Sequence, residues 1–458
     1  MYKTLLLSIL LVKASFSFAQ INYQKDLNSA LKKASETKQP LFINIGATKK
    51  LPNKSGIDNP DVVQFYNKNF VNYAVNLPNA EALSFMRKYQ LKIFPAYLYL
   101  DQKGVLIVKG ARSSSASKLY LDLANQALNK LSSNSSLGDY EVKYKAGELS
   151  KDFLKEYISL RQQLGMYDNA KLIDEYVNFL TVASFNDYDE VLFILNAGPF
   201  TNGKAYKLSF TNPKIRDSIY KTRPSREKAE INKRIIQNTQ NEAIATKNPT
   251  MAYSVSNFAR GSWGKNYAAG NKQSSYLMLD YYKAVKDTAN FYRQAQYYYD
   301  EYYMKISPDS IKKLAKKEQD IKDSLTASIK KYMLARKNVE AKSSGPITKY
   351  TYSKISASGT INNVAKTLNN ASWDYYILGT RNTTHLTKAL LWSKRAIEIT
   401  PIPEYYDTMA HIFYRMQLYD EALLNQNKAI EMLSKQKNSN DRLSTLKAEA
   451  EKMKQRKL

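Results

Sequence analysis

The chain has 458 residues, 43% of them hydrophobic, with only 13 Pro and 15 Gly. This composition excludes a disordered or fibrous protein and leaves length for two to four domains. It contains no Cys, which excludes disulfides, thiolate metal sites and dithiol chemistry for this polypeptide. Sixty-nine Lys and Arg against 41 Asp and Glu leave a net charge of +28. The basic residues are spread along the chain and mixed with acids, as on lysine-rich solvated helix faces. Contact with a polyanion through the basic surface is a further expectation. No compact arginine-rich arm or nucleic-acid module is present, so nucleic acid is not an expected partner.

In chain order, Lys3 precedes an apolar run, Leu5 to Val12, and Ser17 and Ala19 place small residues at −3 and −1. This predicts a secretory signal peptide over 1–19, cleaved near Ala19–Gln20, and an exported, periplasmic or secreted mature protein. The run is shorter than the roughly 20 apolar residues that a membrane-spanning helix needs, and no second candidate span follows.

Residues 22–131 alternate helix and strand patterns. Leu27, Ala30, Leu31 and Ala34 share one helical face, and Pro40–Ile45 reads as a strand. After a polar loop, Gly46–Ile57, Asn59 is a predicted N-cap with Pro60 as the first helical residue. A second strand (VNYAVNL), a helix from Asn79 to Tyr89, a third strand (FPAYLYLD), a hairpin partner (GVLIVKGA) and a closing helix complete the segment. Gly110–Lys118 reads as a helix entry with a serine N-cap. The order predicts a mixed sheet covered on both faces.

Residues 132–147 are rich in Ser and Gly and read as a linker. A helical domain is predicted over 148–345. Its patterns fall at Leu149–Leu164 and Tyr167–Leu180, split at Gly165, then at about 187–196, 213–221, 225–247, 249–259, 274–304 and 308–341. The tyrosine-dense stretch Asn290–Lys305 suits packing between helix pairs or, alternatively, a groove for a peptide or glycan chain. Arg260–Ser275, with three glycines and Trp263, suggests a functional loop or a plain connection. Ser343–Thr360 is loop-like. Residues 365–433 repeat: Ala389 and Ala422, and Ala396 and Ala429, are each 33 apart. The tail, 434–458, is a basic polar helix predicted to act as a solvated cap.

The repeat resembles tetratricopeptide units, with Trp373, Ala389, Ala396 and Pro401 at the large, small, small and terminating positions. The second unit lacks the Trp, and Leu418 stands where a Gly is usual. Residues 22–131 resemble the exported thioredoxin-like proteins that carry a helical C-terminal region, through PLFINI, NPDVVQFYNKNFVN, KYQLKIFPAYLYLDQKG and the closing helix. The fold class read from the sequence is therefore an α/β thioredoxin-like N-terminal domain followed by a mostly α-helical, TPR-like region. In that family two cysteines follow the first core strand; here Gly46–Ile57 supplies none. The resemblance implies a cis proline at Pro95 whose neighbouring backbone accepts an extended peptide, making Phe94, Pro95 and Ala96 the candidate peptide-binding residues.

The two histidines, His385 and His411, show no ligand spacing and read as helix-surface or interface residues, so no metal site is expected. No cofactor motif and no G-x-S-x-G occurs, and no catalytic residues are assigned. The functional expectation is a redox-inactive, protein- or peptide-binding scaffold or chaperone-like factor with a partner in the cell envelope. The alternative is an enzyme of non-thiol class with a site near Pro95 and the 46–57 loop.

Overall fold

A computed structural model describes residues 20–46, 55–133, 135–314, 360–436 and 440–458, with isolated residues between 316 and 327. The expected signal segment 1–19, residues 47–54 of the polar loop and the stretch 343–359 lie outside the described residues. The chain forms an α/β domain followed by a mostly helical region, and it divides into two compact units, Met1–Pro199 with Lys204–Arg223, and Phe200–Gly203 with Pro224–Leu458.

The first unit is built on a mixed sheet of β1 (Tyr23–Gln24), β2 (Leu41–Gly46), β3 (Val71–Asn76), β4 (Ala96–Leu100) and β5 (Leu106–Ala111), in the order β1-β3-β2-β4-β5. β1, β3 and β2 run parallel, while β4 is antiparallel to both β2 and β5. β1 is an addition to the expected pattern, falling in what reads as the start of the first helix. Strand residues alternate between faces. Phe42, Tyr97 and Tyr99 point to one face, where they meet α2 (Pro60–Asn69) and, through Tyr120, Ala124 and Ala127, α4 (Ser117–Ser132). Leu41, Ile43, Ile45, Ala96, Leu98 and Leu100 point to the other, against α1 (Leu27–Thr37) and α3 (Ala80–Lys88). Asn59 and Pro60 start α2 as read from the sequence, Asn59 accepting from the Asp61 N–H at 2.9 Å.

This second face continues into the helices that follow. The expected linker at 132–147 contains α5 (Leu137–Lys145), capped by Ser136 and Asp139, with Leu137 buried in the same core as the sheet. A Cβ on Gly138 would lie 3.1 Å from the Asp101 carboxylate at the β4–β5 turn, so a larger residue would push that side chain back by a few tenths of an ångström. Then come α6 (Lys151–Gln163), α7 (Ala170–Tyr176), α8 (Tyr188–Ala197), α9 (Lys204–Leu208) and α10 (Pro213–Thr222). Phe153, Leu154, Ile158, Ile173 and Ile194 join the sheet's core. The helices to about 223 thus belong to the same unit as the sheet, α5 to α9 through apolar side chains shared with its core and α10 through α8.

The second unit begins with α11 (Ser225–Ala245), α12 (Pro249–Gly261), α13 (Tyr267–Ala284) and α14 (Thr288–Tyr299), which runs into a π-helical turn over Asp300–Met304. The single helix expected at 274–304 is broken because Lys286 takes a left-handed φ of 62° and Asp287 caps α14. The expected loop at 260–275 is mostly helix: a Cβ on Gly270 would meet the Arg260 carbonyl oxygen at 2.5 Å, and this glycine lets α12 and α13 close together. The repeat consists of α15 (Thr360–Ile377), α16 (Thr383–Ile399), α17 (Pro403–Arg415) and α18 (Tyr419–Ser434). Ala389, Ala396, Ala422 and Ala429 are all fully buried, at the contacts their spacing implied. Gly379 closes the first turn with φ 75°, and Gln417, not a glycine, adopts φ 64° in the second. The tail helix α19 (Asn440–Lys454) is amphipathic rather than simply solvated: Leu446, Ala450 and Met453 are buried.

α13, α14, α15 and α16 share one core containing Phe291, Tyr292, Tyr298, Tyr299, Tyr375 and Trp392. The tyrosine-dense segment is therefore packing, with Tyr297 left exposed. Asp300 fixes this junction, bonded to Lys388 Nζ at 2.6 Å and to the Trp392 indole N–H at 2.9 Å. Hydrogen bonds to a charged group contribute about 1.5–3 kcal/mol each. Asp300→Ala should lower the denaturant stability of the chain by about that amount, read by circular dichroism, whereas Glu301→Ala on the same turn should change it by less than about 0.5 kcal/mol.

Candidate functional site

The residues singled out in the sheet unit lie at one end of β4. Phe94–Pro95 is a cis peptide, and Leu77–Pro78, just past β3, is a second that carried no signal in the sequence. The Pro95 carbonyl accepts from the Arg112 N–H at 2.8 Å. Ala96 is fully buried and stands opposite Ile45 on β2 and Ala111 on β5. A residue flanked on both sides by strands has no open edge for a third, so the accessible part of this candidate site is Phe94–Pro95, both half-buried.

Nearby, hydroxyls form a connected network. Ser55 Oγ lies 2.9 Å from the Tyr120 hydroxyl and 3.2 Å from Ser113 Oγ. The Tyr120 oxygen also accepts from the Ser114 N–H at 3.1 Å and lies 3.4 Å from the Tyr97 hydroxyl. The Tyr66 hydroxyl donates to the Tyr120 carbonyl at 2.9 Å and contacts the Tyr99 hydroxyl. The serines of 110–118 thus serve Tyr120, while α4 itself begins after Ala116 with no side-chain cap, contrary to the expected serine N-cap. Burial pushes the Tyr66, Tyr97 and Tyr99 phenols well above their ordinary range. They stay neutral at physiological pH and act as hydrogen-bonding core groups. Ser55 Oγ bonds to the Ser113 and Tyr120 hydroxyls, while the Asp58 carboxylate accepts from the Ser55 backbone N–H at 3.2 Å.

Two hollows mark the surface. One runs along α4 between Leu119 and Ser133, and its lining comes from that helix alone. The other, of about 490 Å³, gathers side chains from three elements of the second unit: Lys366, Asn369, Asn370 and Trp373 from α15, Ile402 to Thr408 at the start of α17, and Arg442 from α19. The start of α17 is set by Pro403 at its first turn, and its i, i+3, i+4 spacing turns Glu404, Asp407, Thr408 and His411 to one side. Trp373 stacks on Tyr376 at 4.9 Å and meets the His411 ring edge-on at 5.3 Å. Arg442 pairs with Glu404 at 2.9 Å.

Behind this cavity, Asp407, His411 and Glu449 bring ligand-type atoms within 4.8 Å of one another. Of the two expected places, helix surface or interface, His411 takes the interface: it is buried against Trp373 and Tyr376, with Nδ1 2.8 Å from the Asp407 backbone carbonyl and 3.4 Å from its carboxylate. Glu449 is held above its ordinary range by burial first and then by the charge of Asp407, with His411, Lys452 and Arg442 opposing. His385 lies elsewhere: its Nδ1 is 3.1 Å from the Thr380 hydroxyl, its ring packs on Tyr292, and burial holds its pKa down. In the sequence His411 shows no ligand spacing and Asp407 does not stand out, although it lies one helical turn before that histidine; Glu449 and Asn369 carried no signal there, since only the fold brings them near.

No protein-family model and no curated protein sequence matches the chain. No helix among the described residues is long and apolar enough to cross a membrane.

Two measurements test the hydroxyl network. A phenol whose folded pKa is raised contributes stability that is full below its unfolded value of about 10 and is lost as pH rises above it. The chain should therefore lose stability above about pH 10, with part of its tyrosine ultraviolet titration appearing only on unfolding. Tyr120→Phe leaves Ser55 Oγ and the Ser114 N–H short of a partner and should cost about 1–3 kcal/mol in denaturant unfolding.

Proposed function

We propose that the chain is an exported, redox-inactive binding protein whose thioredoxin-like and TPR-like parts carry no dithiol chemistry, and that it holds an extended segment of an envelope protein in the cavity between α15, α17 and α19. The observation that carries this reading is the cavity's lining. Asn370 offers an exposed amide that both donates to and accepts from a peptide backbone, and the buried Asn369 lines the same wall. Trp373 adds rigid apolar area at low entropic cost. The charges are mixed, with Lys366 and Arg442 facing Glu404 and Asp407. Such a lining suits backbone recognition of a mixed sequence better than capture of a strongly charged chain. Phe94–Pro95, the edge expected from the sequence, is the weaker candidate because Ala96 is enclosed by its neighbouring strands.

The test is capture from envelope extract by the mature chain, followed by peptide binding with segments of the captured protein. Asn369→Ala with Trp373→Ala should weaken capture at least tenfold, while Pro95→Ala should leave it within about twofold; tenfold corresponds to about 1.4 kcal/mol. Capture that survives the paired change but is lost with Pro95→Ala would place the site at the sheet instead. Retention on heparin that falls steeply with salt would assign the +28 charge a separate, polyanionic partner.

A further inference from the structure

Near the base of the same cavity Asp407 Oδ1, Asn369 Oδ1 and Gln426 Oε1 are buried without a hydrogen-bond partner, Asp407 Oδ1 standing 3.4 Å from His411 Nδ1. Asn369 and Gln426 are themselves more than nine-tenths buried. Asn369 lines the cavity beside Asp407, and the Gln426 amide nitrogen is 3.5 Å from the Glu449 carboxylate. Two carboxylates, Asp407 and Glu449, lie beside one imidazole, His411, here. Buried acceptors left unpaired cost free energy, and a cation satisfies several at once.

We propose that Asp407, His411 and Glu449 form a binding site for a divalent first-row transition-metal ion, with Zn²⁺ as the probe. Asp407 and His411 sit one helical turn apart on α17, and Glu449 reaches in from α19. An imidazole with two carboxylates suits Zn²⁺ and its neighbours, whereas Mg²⁺ and Ca²⁺ prefer oxygen alone. The ligand atoms lie within 4.8 Å of one another. Metal–ligand bonds of about 2.0–2.2 Å bring tetrahedral donors to roughly 3.4 Å, so the side chains draw in by about an ångström on loading. His411 Nδ1 lies 2.8 Å from the Asp407 backbone carbonyl and 3.4 Å from its carboxylate, so either Nδ1 gives up its bond to that carbonyl to take the ion, or Nδ1–H keeps it and Nε2 is the ligand. Trp373 and Tyr376 wall the ring on its other sides. Three protein ligands leave a coordination position for water or a guest, and because Asp407 lines the cavity, that guest enters from there. Lys452 and Arg442 oppose the negative charge in part; an ion bound here has to outcompete them.

The proposal stands apart from peptide binding, and its test does not use a partner. The full mature chain is prepared without a histidine tag, freed of metal with a chelator and titrated with Zn²⁺ by calorimetry. One ion per chain should bind. The chain holds only two histidines, so nitrogen-15 spectra of the histidine rings identify the ligand directly: the His411 signals should shift with Zn²⁺ while those of His385 stay fixed. Glu449→Gln, on the half-exposed cap helix, and Asp407→Asn should each weaken binding by more than roughly tenfold, the least that losing even a supporting group brings. Far-ultraviolet circular dichroism checks that both variants fold, and the wild-type ring spectra decide between binding and no binding even if they do not. The proposal is overturned if no stoichiometric binding occurs, if the His385 signals move instead, or if both folded variants bind as the wild type does.

Discussion

Every phenol taken into a protein interior must find a hydrogen-bond partner for its hydroxyl, and this chain, with 36 Tyr, builds much of its interior under that constraint. In the sheet unit Tyr66 reaches across to Tyr99 and to the Tyr120 carbonyl, joining α2, β4 and α4. On the opposite face Tyr176 donates to Glu190 at 2.7 Å, and Glu190 also holds Lys155 at 2.8 Å, which ties α6, α7 and α8 together. In the helical unit Tyr375 donates to the Tyr292 carbonyl at 3.0 Å, linking the repeat to α14. Each bond is directional, so the rings select one packing among the many that apolar area alone would allow.

The same constraint separates structure from function. The hydroxyls near Pro95 look like chemistry, being close together and near the end of a sheet. Their partners are other hydroxyls, carbonyls and N–H groups, and burial keeps the phenols neutral. The cavity on the repeat differs in kind. It has an exposed amide and lysine, a half-buried tryptophan and buried acceptors without partners, the features on which the proposed binding role rests.

Much of the α/β part could be read in advance because strand alternation and capping are local. Tyr97 and Tyr99 against Ala96, Leu98 and Leu100 announce two covered faces, and Asn59-Pro60 announces a helix start. Two features of the first unit were hidden. The Ser- and Gly-rich segment at 132–147 looks like a linker, yet Ser136 and Asp139 cap a helix and Gly138 sits against the β4–β5 turn. The helices after it carry apolar faces whose destination, the sheet, no local pattern states. In the second unit the alanine spacing showed the repeat, and Gln417 replaced the expected glycine by adopting its conformation. The candidate site was not legible in the sequence: an Asp and a His one helical turn apart are common on helices, and Asn369 and Glu449 meet them only through helix packing.

The central claim, that the cavity between α15, α17 and α19 receives a guest, is tested most directly by hydrogen–deuterium exchange of the full mature chain with and without its captured partner. The account predicts added protection in the segments around Asn369–Trp373 and Glu404–His411, with little change around Phe94–Ala96. Protection confined to the sheet unit, with the repeat unchanged, would contradict it.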